Sequence, residues 1–352
     1  MAAIPITLPP AAVMGYYAYK KLTAPAQVTG SYGAIDGELG WKLKANATSR
    51  YWMENQLTGE ALFDSRVHTD AQGFRAASTG GTAARDAIVA VGDSWTFGYA
   101  VDYEETFPAY LGQILGQPVV NMGAPAYGSA QVVLLLERYL NELKPKIVIH
   151  LNLGLWNRSL CHGKTRPAYI LKPCFWWNLA TRAIELIAPQ PGYVENMAAK
   201  GVYPGGWLTA GNSTWSYYLI SRPIARAKQF LTAAGLMPGH RSEYDADPVL
   251  APKAIAYTLR RLGDLARQHG FAFVLVDPPG DYAQAYSELA AEYENSLYYF
   301  SQERWRDEID TPASRLPAPE RLVPQDGHYG PGTNRLIAEA LSRYLEPLLV
   351  QP

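Results

Sequence analysis

Apolar residues in this chain follow two patterns that alternate from residue 87 onward. Short continuous apolar runs, typical of strands buried on both faces, occur at AIVAVGD, PVVNMG, KIVIHLNLG and FAFVLVD. Between and after them, apolar residues recur every three or four positions in TFPAYLGQIL, SAQVVLLLERYLNEL, PKAIAYTLRRLGDLARQH and GTNRLIAEALSRYLEPLL. These longer stretches predict helices. Strands that alternate with helices predict a parallel sheet with right-handed crossovers, in a three-layer α/β fold.

Two segments depart from this alternation. Residues 26–86 are rich in Gly, Thr and Asn, and we expect them to form a lead-in that wraps the core. Residues 158–247 are rich in Trp, Tyr, Pro and Gly, which indicates an insertion over the edge of the sheet, where substrate loops usually lie. Within this insertion the pattern predicts at most two helices, near 179–187 and 214–234.

The first 25 residues are predicted to be a membrane anchor or a disordered N-terminus. MAAIPITLPPAAVMGYYAYKK has no charge before Lys20, and three prolines interrupt its Ala-rich run. It is therefore a poor membrane span and lacks the basic start of a secretory signal. The positive charges of Lys20 and Lys21 do not favour export of the chain that follows. These residues leave the compartment open.

The composition indicates a globular protein. The 352 residues are 48% apolar and 18% charged, with a formal net charge of −1. Lys and Arg are scattered, whereas phosphate binding needs a concentrated basic surface, so nucleic acid is excluded as the main partner. The 24 Tyr and 9 Trp residues are explained by packing or by stacking on sugars or acyl chains.

The two cysteines lie close together, in CHGKTRPAYILKPC. With only His162 nearby, Cys161 and Cys174 are too few for a four-ligand metal site. They are two free thiols or a disulfide that closes a short loop, and a disulfide would imply an oxidising compartment.

Polar residues follow the apolar runs where parallel strands end, which is where function gathers in an open parallel sheet. The first run ends in Gly92-Asp93-Ser94, and the second ends in Asn121-Met122-Gly123. The third passes through Asn152 and reaches Asn157. Far downstream, PQDGHYGPG places Asp326 and His328 just before the last predicted helix. Asp277 is a further carboxylate at a strand end, and we expect a structural role for it.

These residue types suit acyl transfer, which needs an activated hydroxyl, a base and donors for an oxyanion. Ser94 is the candidate nucleophile, His328 the base, and Asp326 the acid that orients the imidazole. The backbone N–H groups of Ser94 and Gly123, with the Asn157 side chain, are candidates for the oxyanion hole. Each piece alone has an ordinary explanation as a turn, a loop-stabilising amide or a structural histidine. Their order and placement favour a common site.

The blocks GDSWTFGYAV, NMGAPAYGSAQ, LGLWNR and DGHYGPGTNRLIAEAL resemble the four conserved blocks of the SGNH (GDSL-type) hydrolases. The resemblance covers residues 87–157 and 252–345. It implies a flavodoxin-like α/β/α sandwich of about five parallel strands, a hydrolase domain over 87–352, and no metal or cofactor. It also assigns Ser94, Asp326 and His328 to a triad, and Gly123 and Asn157 to the oxyanion hole. The upstream ELGW and HTDAQGFR resemble a bacterial branch that is often membrane-anchored, which favours a periplasmic or anchored protein over a cytoplasmic one.

Three positions depart from the usual pattern of that family. Trp95 follows the nucleophile where Leu or Phe is commoner, and Arg158 follows Asn157 where Asp is usual, which makes Asn152 a second candidate for the amide. The acid and histidine are spaced Asp-x-His, similar to bacterial polysaccharide O-acetyltransferases related to the family.

The sequence therefore predicts a serine esterase acting on an acyl or O-acetyl ester of a carbohydrate or lipid-like substrate. An O-acyltransferase would use the same residues, with a sugar or other hydroxyl in place of water. An inactive binding or scaffold protein that keeps the fold is the third reading.

Overall fold

Thirteen strands are present in the part of the chain that the computed structural model describes, which is residues 26–55, 57–80, 85–152, 159–161, 170–199, 250–278, 282–324 and 326–350. The lead-in contains β1 Ala26–Thr29, β2 Gly33–Asp36, β3 Gly40–Leu43, β4 Thr48–Glu54, β5 Ala61–Thr69 and β6 Arg75–Ala76. The rest of the chain contains β7 Ile88–Val91, β8 Val119–Asn121, β9 Ile147–Leu151, β10 Cys174–Asn178, β11 Ala183–Ile187, β12 Ala272–Val276 and β13 Leu297–Phe300.

The helices of the described residues include the four that the sequence predicts between and after the central strands. The described helices are α1 Ser94–Phe97, α2 Phe107–Leu115, α3 Ser129–Leu143, α4 Pro191–Ala199, α5 Leu250–His269, α6 Ala283–Glu292, α7 Gln302–Trp305, α8 Thr311–Ala313, α9 Ala318–Arg321 and α10 Pro331–Leu349. A 3₁₀ turn at Tyr103–Glu105 precedes α2, and a π-helical turn at Arg306–Asp310 joins α7 to α8.

Five parallel strands form the centre of the fold, in the order β8-β7-β9-β12-β13. This is the flavodoxin-like strand order, with the first strand of the series between the second and third. The predicted three-layer α/β fold with a parallel sheet of about five strands is confirmed.

Side chains of the central strands alternate between two cores. In β7, Ile88 and Ala90 pack with α2 and α10, whereas Val89 and Val91 pack with α3 and α5. Because both faces carry a helical layer, each position along the strand is apolar and buried. The sheet therefore lies between two helical layers, and its strand ends are left for the site.

The lead-in extends this sheet with antiparallel strands. The full order is β1-β4-β5-β6-β8-β7-β9-β12-β13, and the junction is the pairing of Arg75 in β6 with Asn121 in β8. The separate β2–β3 hairpin is fixed to α3, where Arg138 binds Asp36 at 2.8 Å. The indole N–H of Trp41 in β3 also donates to the carbonyl of Pro125, in the loop that follows β8. The lead-in thus contacts both the edge of the parallel sheet and one of its strand-end loops.

Part of the insertion differs from its prediction. Residues 179–187 do not form a helix, because β10 and β11 pair as an antiparallel hairpin with Cys174 opposite Ile187. The Asn178 side chain accepts hydrogen bonds from the N–H groups of Ala180 and Thr181, which stabilises a turn, and Arg182 has a positive φ of 53°. The helix expected near 214–234 lies outside the described residues.

Cys161 and Cys174 form a disulfide, so the alternative of two free thiols is wrong. Both residues are buried, together with Ile187. The bridge therefore fastens the residues that follow β9 to the hairpin of the insertion.

None of the helices within the described ranges is long and apolar enough to cross a membrane. The segment 1–25, for which an anchor was one expectation, lies outside those ranges.

Candidate active site

Ser94 is the first residue of α1, directly after β7 ends. The buried Asp93 is the N-cap of this helix, and its carboxylate accepts a hydrogen bond from the Trp95 N–H at 3.0 Å. The Ser94 N–H lies in the first helical turn, where an amide has no acceptor within the helix. The strand and its cap thus hold the serine at the carboxyl edge of the sheet.

His328 and Asp326 reach Ser94 from a loop just before α10. The His328 Nε2 atom lies 2.8 Å from the Ser94 Oγ atom, and the Nδ1 atom is hydrogen-bonded to Asp326 Oδ1. The Val323 N–H donates to the His328 carbonyl at 2.8 Å, which holds the loop closed. The structure therefore brings together the three residues that the sequence predicted for a triad, although 234 positions separate Ser94 from His328.

The two-residue spacing of the acid and the histidine has a local consequence. Asp326 Oδ1 also accepts the backbone N–H of His328 at 3.3 Å, so one carboxylate oxygen faces both the ring and the main chain of the same residue. The Asp326 side chain is only 8% exposed and the His328 side chain 21% exposed. Partial burial lowers competition from water and strengthens these contacts.

Gly123 lies against the backbone of α1, the helix that begins with Ser94, and uses its N–H internally. That N–H donates to Asn121 Oδ1 at 3.0 Å, and Asn121 Nδ2 donates to the Thr96 carbonyl at 2.9 Å. The Ala124 N–H donates to the Gly92 carbonyl at 3.2 Å. The loop after β8 is thereby fixed against α1, which brings the Gly123 amide next to the serine helix.

Asn157 and Asn152 are the two side-chain amides that the sequence offers for the oxyanion hole. Asn157 lies outside the described residues. Asn152 is buried, and its Nδ2 donates to the Tyr286 hydroxyl at 3.0 Å, while its backbone N–H donates to the Val276 carbonyl. Asn152 therefore joins β9 to β12 and α6.

Asp277 is buried at the end of β12 and is not part of the Ser94 group of contacts. Its carboxylate accepts hydrogen bonds from the Tyr299 hydroxyl at 3.0 Å and from Gln302 Nε2 at 2.8 Å. Burial raises the pKa of Asp277 to about 6, although these two hydrogen bonds oppose the rise.

Sequence reasoning missed three aromatic residues that contact His328 or Asp326. The His328 ring lies 4.9 Å from the Trp95 ring and 5.1 Å from the Tyr99 ring, between centroids. The Tyr51 hydroxyl, on β4, donates to Asp326 Oδ2 at 3.0 Å. The concentration of aromatic residues directly after Ser94 was a signal for Trp95 and Tyr99. No local signal marks Tyr51, which is 275 positions from its partner.

No protein-family model matches the chain, and no curated protein matches it. Among solved structures it is similar to TesA, with 15% identity, 74% of this chain and 99% of that chain covered, and a TM-score of 0.37. It is also similar to a catalytic mutant of Axe2, an acetylxylan esterase from Geobacillus stearothermophilus, with 12% identity, 77% and 97% coverage and a TM-score of 0.36. A third is a carbohydrate esterase family 2 enzyme from Corynascus thermopiles (Myceliophthora fergusii), with 10% identity, 94% and 92% coverage and a TM-score of 0.39. The bacterial branch indicated by the upstream segments stays a prediction.

Proposed function

We propose that this protein is a serine esterase that hydrolyses an acyl or O-acetyl ester through an acyl-enzyme on Ser94. The observation that carries the proposal is the continuous hydrogen-bonded series from Ser94 Oγ through His328 to Asp326. A serine hydroxyl, an imidazole and a buried carboxylate in this order form the arrangement that activates a hydroxyl for attack on a carbonyl carbon.

In the acylation step, His328 Nε2 accepts the Ser94 proton while Oγ bonds to the carbonyl carbon of the ester. Asp326 accepts the Nδ1–H hydrogen bond throughout and stabilises the imidazolium that forms. Collapse of the tetrahedral intermediate breaks the bond to the alcohol oxygen, which takes the proton from Nε2. Water then repeats the sequence, releases the acid and restores Ser94. A protonated His328 cannot start this cycle, because it has no free pair to accept the serine proton.

The oxyanion needs donors beside Ser94, and we assign this role to the N–H groups of Ser94 and Gly123 and to the Asn157 amide. For Gly123 the assignment requires its N–H to turn from Asn121 Oδ1 towards the substrate oxygen. A well-aimed donor of this kind contributes about 3–4 kcal/mol to lowering the barrier.

The experiment that tests the proposal is hydrolysis of a short-chain chromogenic acetate ester, with fluorophosphonate labelling of the same samples. The wild type is compared with Ser94→Ala and His328→Ala, and with Ser342→Ala on α10 as the control. The Ser342 hydroxyl bonds only a local carbonyl, that of Glu339, among the described residues. We expect hydrolysis and labelling in the wild type and in the control, and loss of both in the two site variants.

Other outcomes separate the alternative readings. Labelling of Ser94 with negligible hydrolysis would favour an O-acyltransferase that needs a sugar or other hydroxyl as its acceptor. A folded wild type that neither hydrolyses the ester nor takes the label would contradict the proposal and favour a binding or scaffold protein.

A further inference from the structure

We propose that Tyr51 is a positioning residue of the same site, so that the lead-in completes a series of four groups: Ser94, His328, Asp326 and Tyr51. The inference rests on the proposed function for its catalytic consequence. Its structural basis is the division of the Asp326 carboxylate, in which Oδ1 faces His328 and Oδ2 accepts the Tyr51 hydroxyl at 3.0 Å. Both oxygens of the acid are held, each by a different part of the fold.

Packing of the Tyr51 ring in a buried cluster fixes the position of its hydroxyl. Tyr51 is 7% exposed, and its ring lies 4.8 Å from that of Phe63 on β5 and 4.6 Å from that of Tyr99. Val323, from the loop that carries Asp326, packs into the same cluster. The hydroxyl therefore has little freedom to move away from the carboxylate.

The phenol also remains a donor at every working pH. Burial raises the pKa of Tyr51 far above its ordinary value, and the neighbouring Tyr99 and Asp326 raise it further. A neutral phenol donates one hydrogen bond and carries no charge that would compete with the imidazolium for Asp326.

The expected role follows from what Asp326 must do during acylation. Its Oδ1 has to stay aligned with His328 Nδ1–H while positive charge develops on the ring. Without the Tyr51 hydroxyl, Oδ2 would lose its charge-assisted partner in a nearly buried position, and the carboxylate would rotate towards other donors. Misalignment of the acid lowers the rate of the chemical step but leaves the substrate contacts unchanged.

The test is Tyr51→Phe, which removes one oxygen atom and keeps the ring in its cluster. We expect kcat for the acetate ester to fall about tenfold while KM stays within about twofold. The matched control is Tyr293→Phe, because the Tyr293 hydroxyl donates to the Asp264 carboxylate at 2.9 Å and neither residue belongs to the site. The control should keep its kcat, and thermal unfolding of both variants shows how much stability each lost hydroxyl contributes.

A double-mutant cycle distinguishes positioning from packing. If Tyr51 acts through Asp326, then adding Tyr51→Phe to Asp326→Ala should not lower the residual kcat further. An undiminished tenfold effect in that background would overturn the inference. A rise in KM with unchanged kcat would also overturn it, because it would make Tyr51 a substrate contact.

A spectroscopic measurement tests the inference without relying on catalytic turnover. The Nδ1 proton of His328, hydrogen-bonded to Asp326, should give a far-downfield proton NMR signal in the wild type, and Tyr51→Phe should shift or broaden it. If the wild type lacks esterase activity but this signal responds, the proposed function fails while the positioning contact stands. If the wild type is active and neither the signal nor kcat responds, the inference alone is wrong.

Discussion

Gly123 packs directly against the backbone of Phe97, since a Cβ built on Gly123 would lie 2.3 Å from the Phe97 nitrogen and 2.7 Å from the Thr96 carbonyl carbon. Both contacts are to main-chain atoms of α1, which cannot turn aside as a side-chain end could. The distance between the β8 loop and the serine helix is therefore set by the absence of a side chain at this position.

Gly123→Ala should therefore push the loop away from α1. We expect the free energy of unfolding to fall by about 1–3 kcal/mol, as in other overpacked cores. Ester hydrolysis should fall by about 10- to 100-fold, because the Gly123 amide would move relative to Ser94. Urea unfolding and initial-rate kinetics measure the two effects.

The control for this substitution is Gly192→Ala in α4. Outside its own helix, no heavy atom of the described residues lies within 4 Å of a Cβ at Gly192, so the change should be neutral or stabilising by up to about 1 kcal/mol. Equal activity in the Gly123 and Gly192 variants would show that the close contact has no bearing on the site.

Asp277 should make the protein less stable as the pH rises. Burial raises the pKa of the folded carboxyl from 3.8 to about 6, so between these values the folded protein holds a proton that the unfolded chain has lost. Stability is therefore lost as the pH rises from about 4 to about 6. In Asp277→Asn the amide oxygen should still accept the hydrogen bonds from Tyr299 and Gln302. Above pH 6 the free energy of unfolding of this variant should exceed that of the wild type by up to about 3 kcal/mol.

Urea unfolding of the wild type and of Asp277→Asn, at steps between pH 4 and pH 8, measures this difference. The free energy of unfolding of the variant, relative to the wild type, should rise from about pH 4 to about pH 6 and then stay constant. A difference that is the same at pH 4.5 and pH 7.5 would mean that the Asp277 carboxyl titrates as it does in the unfolded chain.

His150 should make the protein less stable as the pH falls, which is the opposite of the effect of Asp277. Its ring is buried in β9, and neither ring nitrogen has a hydrogen-bond partner among the described residues. Burial lowers the pKa of the ring from 6.5 to about 3, so between these values the unfolded chain takes up a proton that the folded protein does not. Stability is therefore lost as the pH falls below about 6.5.

His150→Leu should raise the free energy of unfolding by about 1–2 kcal/mol at pH 8, because two unpaired polar atoms leave the core. The gain should be larger at pH 5. His150→Gln separates the two causes, since it keeps buried polar atoms but does not titrate, and should show only the flatter pH dependence. Destabilisation by His150→Leu at both pH values would indicate that the ring has a partner.

Reduction of the Cys161–Cys174 bridge should weaken the insertion without removing the site. The bridge joins residues 13 positions apart, and closing a loop of this size contributes about 3 kcal/mol. We expect dithiothreitol to lower the unfolding midpoint of the wild type and to leave fluorophosphonate labelling of Ser94 intact. The Cys161→Ser, Cys174→Ser double variant should start from the lower midpoint and show no response to the reductant.

The parallel sheet and its helices could be predicted because local patterns specify them. The central strands β7, β8, β9 and β12 are continuous apolar runs, and the helices α2, α3, α5 and α10 repeat apolar residues at helical spacing, so no distant contact is needed to identify them. The fifth central strand, β13, and the helix α6 were not among the predicted elements. Ser94, Asp326 and His328 could be proposed because strand ends and helix starts are visible in the sequence. The parallel topology then implies that such ends meet at one edge.

What could not be predicted depends on contacts between distant segments. Nothing around Tyr51 distinguishes it from the other tyrosines, since its role comes from the pairing of β4 with β5 and from the approach of the Asp326 loop. Residues 179–187 carry helix-forming residues, yet residues 179–182 form a turn after Asn178 and residues 183–187 pair with β10 as strand β11. Tertiary pairing overrides local propensity there.

The distance along the chain between Ser94 and His328 also has a consequence for synthesis. The ribosome makes Ser94, the proposed nucleophile, 234 residues before His328, the proposed base, a delay on the order of tens of seconds. During that interval α10 has not been made and cannot cover β7. Asp326, the hydrogen-bond partner of Tyr51, has not been made either. Contacts of such long range also slow folding. Reactivity of Ser94 towards fluorophosphonate would therefore report that the last helix has docked, which makes the label a probe of completed folding in newly made chains.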